Sequence, residues 1–110
     1  MQKILIYSSL LGIFTFAGQA IAASDEYNLE IKSGGGFSPA TLEIPKDQKV
    51  KLVVKNNDKV EAEFESYQPK REEKIKPGDK TEIYVGPLEA GQYPFFDDNN
   101  PDARGTLVAK

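Results

Sequence analysis

From residue 27 onward, apolar and polar positions alternate in short runs separated by turn signals. Residues 27–32 put Tyr27, Leu29 and Ile31 on one side and Asn28, Glu30 and Lys32 on the other. Period two is the pattern of a strand with one buried face and one wet face. Ser33-Gly34-Gly35-Gly36 ends this run, and residues 41–44 resume it until Pro45 stops it at a sheet rim. Residues 49–56 carry the strongest strand signal, with Val50, Leu52 and Val54 two apart. Residues 61–66 alternate again, which predicts Phe64 in the core and Glu61, Glu63 and Glu65 on the outer face. Residues 72–76 form a weaker run, 80–85 and 92–96 are clear ones, and 105–109 close the chain. The polar stretch 97–104 reads as a loop. Seven or eight short strands and no helix predict an all-β fold, a sandwich or a barrel.

The first residues follow different rules. Lys3 precedes a run over residues 4–16 that is apolar apart from Ser8, Ser9 and Thr15, and Ala20-Ile21-Ala22 has the small-x-small form of a cleavage site. This predicts a signal peptide over 1–22 and one domain over 23–110. The apolar run is short and interrupted for a membrane span. No Cys follows it to accept a lipid, and the expected location is a bacterial periplasm. A domain of this size buries only about 60–65% of its unfolded surface. No Cys is available for a disulfide, so the core must suffice alone or a bound ligand must add stability.

Composition narrows the chemistry. The chain has neither Cys nor His. It therefore has no thiolate or imidazole for a metal. Catalysis by a Ser-His-Asp or Cys-His arrangement is excluded, and no enzymatic activity is assigned. All 17 acids and all but one of the 14 bases lie beyond residue 22. The lysines are interleaved with acids, so no basic face for nucleic acid is expected. Gly34-Gly35-Gly36 has no following helix and no Lys-Ser/Thr pair, so it reads as a turn and not as a phosphate loop.

Two stretches together resemble the cupredoxin family. One is Phe37-Ser38-Pro39-Ala40-Thr41-Leu42-Glu43-Ile44-Pro45, continued by the strand through Val54 and by Asn56-Asn57-Asp58. The other is Gly91-Gln92-Tyr93-Pro94-Phe95-Phe96, then the polar loop, then Gly105-Thr106-Leu107-Val108. The resemblance covers nearly all of 23–110 and implies a Greek-key β-sandwich. Glu63-Phe64-Glu65-Ser66, Arg71-Glu72 and Gly86-Pro87-Leu88 are similar to the cupredoxin-like branch found beside bacterial iron-uptake permeases. That branch implies periplasmic iron or copper handling, with an inner-membrane iron permease or another periplasmic iron-uptake component as partner. On the family's pattern the first His falls near Glu63, the Cys at Asp97, the second His at or near Asn100, and the axial Met near Ala103. With every soft ligand missing, a type 1 copper centre is ruled out.

Oxygen donors stand in the same segments: Glu61, Glu63 and Glu65 in one, Asp97, Asp98, Asn99, Asn100 and Asp102 in the other. In a cupredoxin frame the two segments meet at one pole. Carboxylates meeting there repel, which raises a pKa, and a hard cation relieves the repulsion. The expected ligands are Glu63 and Asp97, with Glu65, Asp98, Asp102 and Asn100 assisting. Fe(II), Fe(III), Mn(II) or Ca(II) suit such donors and copper suits them less. Residues 98–102 mimic the start of a calcium loop, but Ala103 and Ala109 stand where its Gly and bidentate Glu belong. Arg71 is expected to pair with Glu65 or Asp97, and Tyr67 or Phe96 to offer an exposed docking aromatic. Three functions stay open: metal binding or delivery in iron uptake, a redox protein assisting Fe(II) oxidation or electron transfer, and a metal-free interaction domain whose acids are a solvated rim.

Overall fold

A computed structural model of the chain describes residues 26–110. The expected signal peptide and its cleavage point lie outside the described residues. Strands β1 (Glu26–Ile31), β2 (Phe37–Ser38), β3 (Thr41–Ile44), β4 (Val50–Asn56), β5 (Ala62–Tyr67), β6 (Lys70–Ile75), β7 (Lys80–Val85), β8 (Gly91–Asp97) and β9 (Asn100–Ala109) follow in order, with no helix among the described residues. A four-stranded sheet runs β2-β1-β4-β7 and a five-stranded sheet runs β3-β9-β8-β5-β6. Each sheet is mixed: β1 pairs with β4 in parallel and β3 with β9 in parallel, while the other neighbours are antiparallel. This is the predicted β-sandwich.

The period-two pattern builds the core directly. Leu29, Ile31, Val50, Leu52, Val54, Ile83 and Val85 line one sheet, and Ala62, Phe64, Ile75, Phe95, Ala103, Leu107 and Ala109 line the other. Phe64 and Phe95 stack with centroids 5.2 Å apart, and Phe37 meets Phe95 edge-on at 4.9 Å. Such aromatic pairs add about 0.5–1.5 kcal/mol beyond their burial. Gly105 sits opposite Phe95 in the β8–β9 ladder. A Cβ there would collide with the Phe95 ring and lie 2.9 Å from the Ala40 carbonyl oxygen, so a glycine is needed.

Asn56 closes one end of the core. It is fully buried. Its Nδ2 donates to the Val60 and Ile75 carbonyls at 2.9 Å each, and its Oδ1 accepts the Asp58 N–H at 2.9 Å. The bonds to Asp58 and Val60 fix the turn that delivers the chain into β5, and the bond to Ile75 ties the end of β4 to the end of β6.

Three expectations are corrected. The weak strand predicted over 72–76 spans Lys70–Ile75, because β5 and β6 form a hairpin whose ladder starts at the Tyr67–Lys70 pair. A short strand, β2, precedes Pro39. The predicted loop 97–104 is mostly strand: β8 and β9 are joined by Asp98 and Asn99 alone, and Asn100 already pairs with Asp97. The register then jumps, with Arg104 opposite Phe96, so Pro101-Asp102-Ala103 bulges from β9.

Candidate metal centre

One pole of the sandwich gathers the turns after β1, β4 and β8. Gly34 N–H donates to Asp58 Oδ1 at 3.1 Å, and Asn99 Nδ2 donates to the Glu61 carbonyl at 3.2 Å. The Asp98 N–H donates to the Glu63 carbonyl at 2.8 Å. Acids from the middle of the chain and acids before its last strand thus meet at the same end of the molecule.

Alternation along β5 buries Ala62, Phe64 and Ser66 and leaves Glu63 and Glu65 half-buried on the outer face. Asp98, exposed at the β8–β9 turn, joins them there. One carboxylate oxygen from each of Glu63, Glu65 and Asp98 lies within 4.8 Å of the others. Oxygens on opposite sides of a cation with bonds of about 2.0–2.6 Å are about 4–5 Å apart. The three carboxylate oxygens are therefore close enough together to reach one cation.

The electrostatics record the crowding. Glu65 is pushed above the usual carboxylate range, first by desolvation, then by the charge of Asp98, a hydrogen bond with the Glu72 carboxyl, and the charges of Glu72 and Glu63. Glu72 is the direct cross-strand partner of Glu65. Glu72 is not among the ligands expected from the sequence. Its signal was the hairpin register, which follows only once the turn at Gln68-Pro69 is fixed.

The other expected residues lie nearby but outside this group. Asp97 faces inward and is only 4% exposed. Its Oδ1 accepts the Glu63 N–H at 2.8 Å and the Asn99 N–H at 2.9 Å. Asn100 lies against the glycine turn, where a Cβ on Gly35 would come within 2.7 Å of Asn100 Nδ2. Asp102 is exposed in the β9 bulge. Glu61 contributes its backbone carbonyl.

Arg71 pairs with neither acid. Its Nε donates to the Tyr84 carbonyl at 2.9 Å and its Nη1 to the Lys70 carbonyl at 2.7 Å. The register explains this: Arg71 stands opposite Ser66, one position out of phase with Glu65 and Glu72. It clips β6 to β7 across the sheets. The expected aromatics do stand at this face. Tyr67 is 77% exposed, its ring is 5.5 Å from that of Phe96, and the Arg104 guanidinium lies 5.7 Å from the Phe96 centroid.

The cupredoxin-like domain model matches residues 5–109. An uncharacterized protein of Rickettsia prowazekii (strain Madrid E) is 36% identical over 73 residues, which is 66% of this chain and 58% of that protein. The chain thus aligns with little more than half the length of that relative. Among solved structures, a purple cupredoxin from Nitrosopumilus maritimus superposes with a TM-score of 0.61 at 23% identity, covering 76% of this chain and 99% of that one. Reduced auracyanin from Roseiflexus castenholzii gives 0.64 at 11% identity, over 79% and 98%. The Cu(I)-bound metal-binding domain of the Streptococcus pneumoniae Cu(I)-exporting P-type ATPase CopA gives 0.63 at 16%, over 77% and 84%. At these identities the superpositions establish a shared fold.

Proposed function

Because the chain belongs to the cupredoxin-like domain family, we propose that it is a metal-binding module whose centre is the carboxylate group Glu63, Glu65 and Asp98. The observation that carries this reading is the approach of three carboxylate oxygens, from two distant segments, to within 4.8 Å of one another. Similar frames in other proteins bear copper, as the Cu(I)-bound ATPase domain does. This chain has the frame without Cys or His. Its donors are hard oxygens, which suit Fe(II), Fe(III) or Mn(II) and not Cu(I), an ion that takes soft thiolate and thioether ligands. The centre is open to solvent, which suits an ion that is taken up and handed on. In this reading the chain is exported by residues 1–22 to the periplasm, where it passes iron to an inner-membrane permease or another iron-uptake component. Asp97 lies behind the centre, where its Oδ1 accepts the Glu63 N–H.

The test is anaerobic calorimetric titration of the exported, purified protein with Fe(II), Mn(II), Cu(II) and Ca(II). The expected result is one Fe(II) or Mn(II) per chain, lost in the triple variant E63Q/E65Q/D98N. Binding unchanged in that variant, or no binding of any ion by the wild type, would end the proposal. Export is checked separately: removing residues 1–22 should retain the protein in the cytoplasm.

A further inference from the structure

We propose that Asp97 is a positioning residue for this centre, holding Glu63 and Asp98 in place through backbone amides and not through a metal–oxygen bond. The inference rests on the metal-binding reading above. Three observations carry it. First, one oxygen of Asp97 accepts two backbone N–H groups, from Glu63 at 2.8 Å and from Asn99 at 2.9 Å. The first belongs to a residue that bears a proposed ligand. The second closes the two-residue turn that presents Asp98. A single carboxylate oxygen therefore ties together the two segments that supply the centre.

Second, the alternation of β8 sets the side-chain direction. Asp97 pairs with Phe64, and both are buried. Glu63 and Glu65 flank Phe64 and point to the opposite face, where Asp98 meets them. Neighbouring strand residues face opposite ways. Asp97 could join that sphere only if the strand were turned over, at the cost of the ladder.

Third, the clamp is reinforced on both sides. The Asp98 N–H donates to the Glu63 carbonyl at 2.8 Å, and Asn99 Nδ2 donates to the Glu61 carbonyl at 3.2 Å. Hydrogen bonds from N–H groups to a carboxylate are about twice as strong as neutral ones. The Asp97 carboxylate that accepts two of them is 4% exposed, which limits competition from water there. Partners that orient a metal's ligands from behind typically cost 10–100-fold in affinity when removed.

Asparagine separates the two roles, because its amide oxygen can accept both N–H groups while its charge as a ligand is gone. Affinity for Fe(II) should stay within about threefold of wild type in Asp97→Asn and fall at least about tenfold in Asp97→Ala. Glu63→Gln, which removes a ligand and leaves the backbone intact, is the reference for a lost metal bond. Alongside, amide proton shifts and hydrogen exchange of Glu63 and Asn99 are read by NMR in the metal-free protein. Both amides should be protected and shifted downfield in the wild type and in Asp97→Asn, and lose this in Asp97→Ala. If Asp97→Asn loses as much affinity as Glu63→Gln while the two amides keep their protection, Asp97 is a ligand and the proposal is overturned. Unprotected amides in the wild type overturn it as well, whatever the metal result. If the wild type binds no ion, the functional reading fails on its own, and the amide measurement still decides whether the clamp exists. Should Asp97→Ala not fold, the wild-type amides and the comparison of Asp97→Asn with Glu63→Gln decide the question.

Discussion

Each sheet turns a charged ladder to water, and the two ladders are built in opposite ways. On the four-stranded sheet Lys51 of β4 stands opposite Glu26 of β1 in register. Lys51 Nζ is 3.1 Å from Glu26 and 3.6 Å from Glu82 of β7. The hydrogen bond to Glu26 is the main reason the lysine pKa is raised. On the five-stranded sheet Glu65 of β5 stands opposite Glu72 of β6 in register, with Glu63 and Asp98 beside them. Lys74 faces Glu63 across the same ladder, yet among the described residues it makes no ion pair within 4.0 Å. Like charges directly opposite on adjacent strands destabilise a sheet, and opposite charges stabilise it. In the first ladder Lys51 is matched by acids on both sides, although Lys55 stands opposite Lys80 farther along the same strands. In the second, Glu65 has only acids as its charged neighbours, Glu72 across the ladder and Glu63 and Asp98 beside it, and the contrast between Lys51 and Glu65 singles out this pole.

The largest expected effect tests whether the second ladder depends on the core behind it. Phe64 sits between Glu63 and Glu65 on the buried face of β5, and Leu52 sits next to Lys51 on the buried face of β4. Phe64→Ala should cost about 3–5 kcal/mol and Leu52→Ala about 2–5 kcal/mol. Chemical denaturation measures both. At temperatures where both variants remain folded, Phe64→Ala should also weaken Fe(II) binding, and Leu52→Ala should not. Equal effects on binding would mean that the centre is not seated on β5.

Next in size is affinity itself. Glu65→Lys gives the five-stranded sheet the charge pattern of its neighbour. It should abolish Fe(II) binding in calorimetry and raise the melting temperature of the metal-free protein by a few degrees. A fall in melting temperature would show that the acidic cluster is not a strained arrangement. The matching change on the other ladder, Lys51→Glu, should lower the melting temperature and leave metal affinity unchanged.

A smaller effect separates the ladders by pH. Glu65 holds its proton more tightly folded than unfolded. The folded state therefore binds more protons between the ordinary carboxylate range and the raised value. The stability this confers is fully present below the ordinary range and lost as pH rises through the raised one. Thermal melts of the metal-free protein should fall across that window, and Glu65→Gln should flatten the profile. Metal competes for the same oxygens, so affinity should rise with pH over the same interval. A Glu65→Gln profile that matches wild type would assign the slope to other groups.

The contrast between the ladders also shows what could be read in the sequence. Period two places Phe64 inward and Glu63 and Glu65 outward without further information, and the structure agrees. The meeting of the two acidic segments followed from the family resemblance, because no local pattern joins residue 63 to residue 98. The role of Asp97 was hidden for a related reason. A carboxylate that accepts backbone N–H groups looks, in a list of letters, like one that awaits a cation. Only the tight β8–β9 turn and the Phe64 pairing show which way it faces. Glu72 and Arg71 were misjudged together. Their faces depend on a hairpin register set by a short turn, and a one-residue slip exchanges them.

The smallest expected effect lies at Lys51, where opposite charges already pair. Lys51 bridges two acids on a partly exposed surface, and such pairs are weak because solvent screens them and ordering long side chains costs entropy. Lys51→Met should therefore shift the melting temperature only slightly at low salt, and the shift should vanish near 1 M salt, where the screening length is about 3 Å. The metal-free acidic ladder should respond to salt in the opposite sense, because screening relieves repulsion among Glu63, Glu65, Glu72 and Asp98. A salt series on wild type, Lys51→Met and Glu65→Gln reads both terms at once. The wild type should gain stability with salt more steeply than Glu65→Gln does, and Lys51→Met more steeply still, since it has no attraction left to screen. If Glu65→Gln gains as steeply as the wild type, the carboxylates of β5 do not repel one another enough to matter, and the two ladders differ in appearance alone.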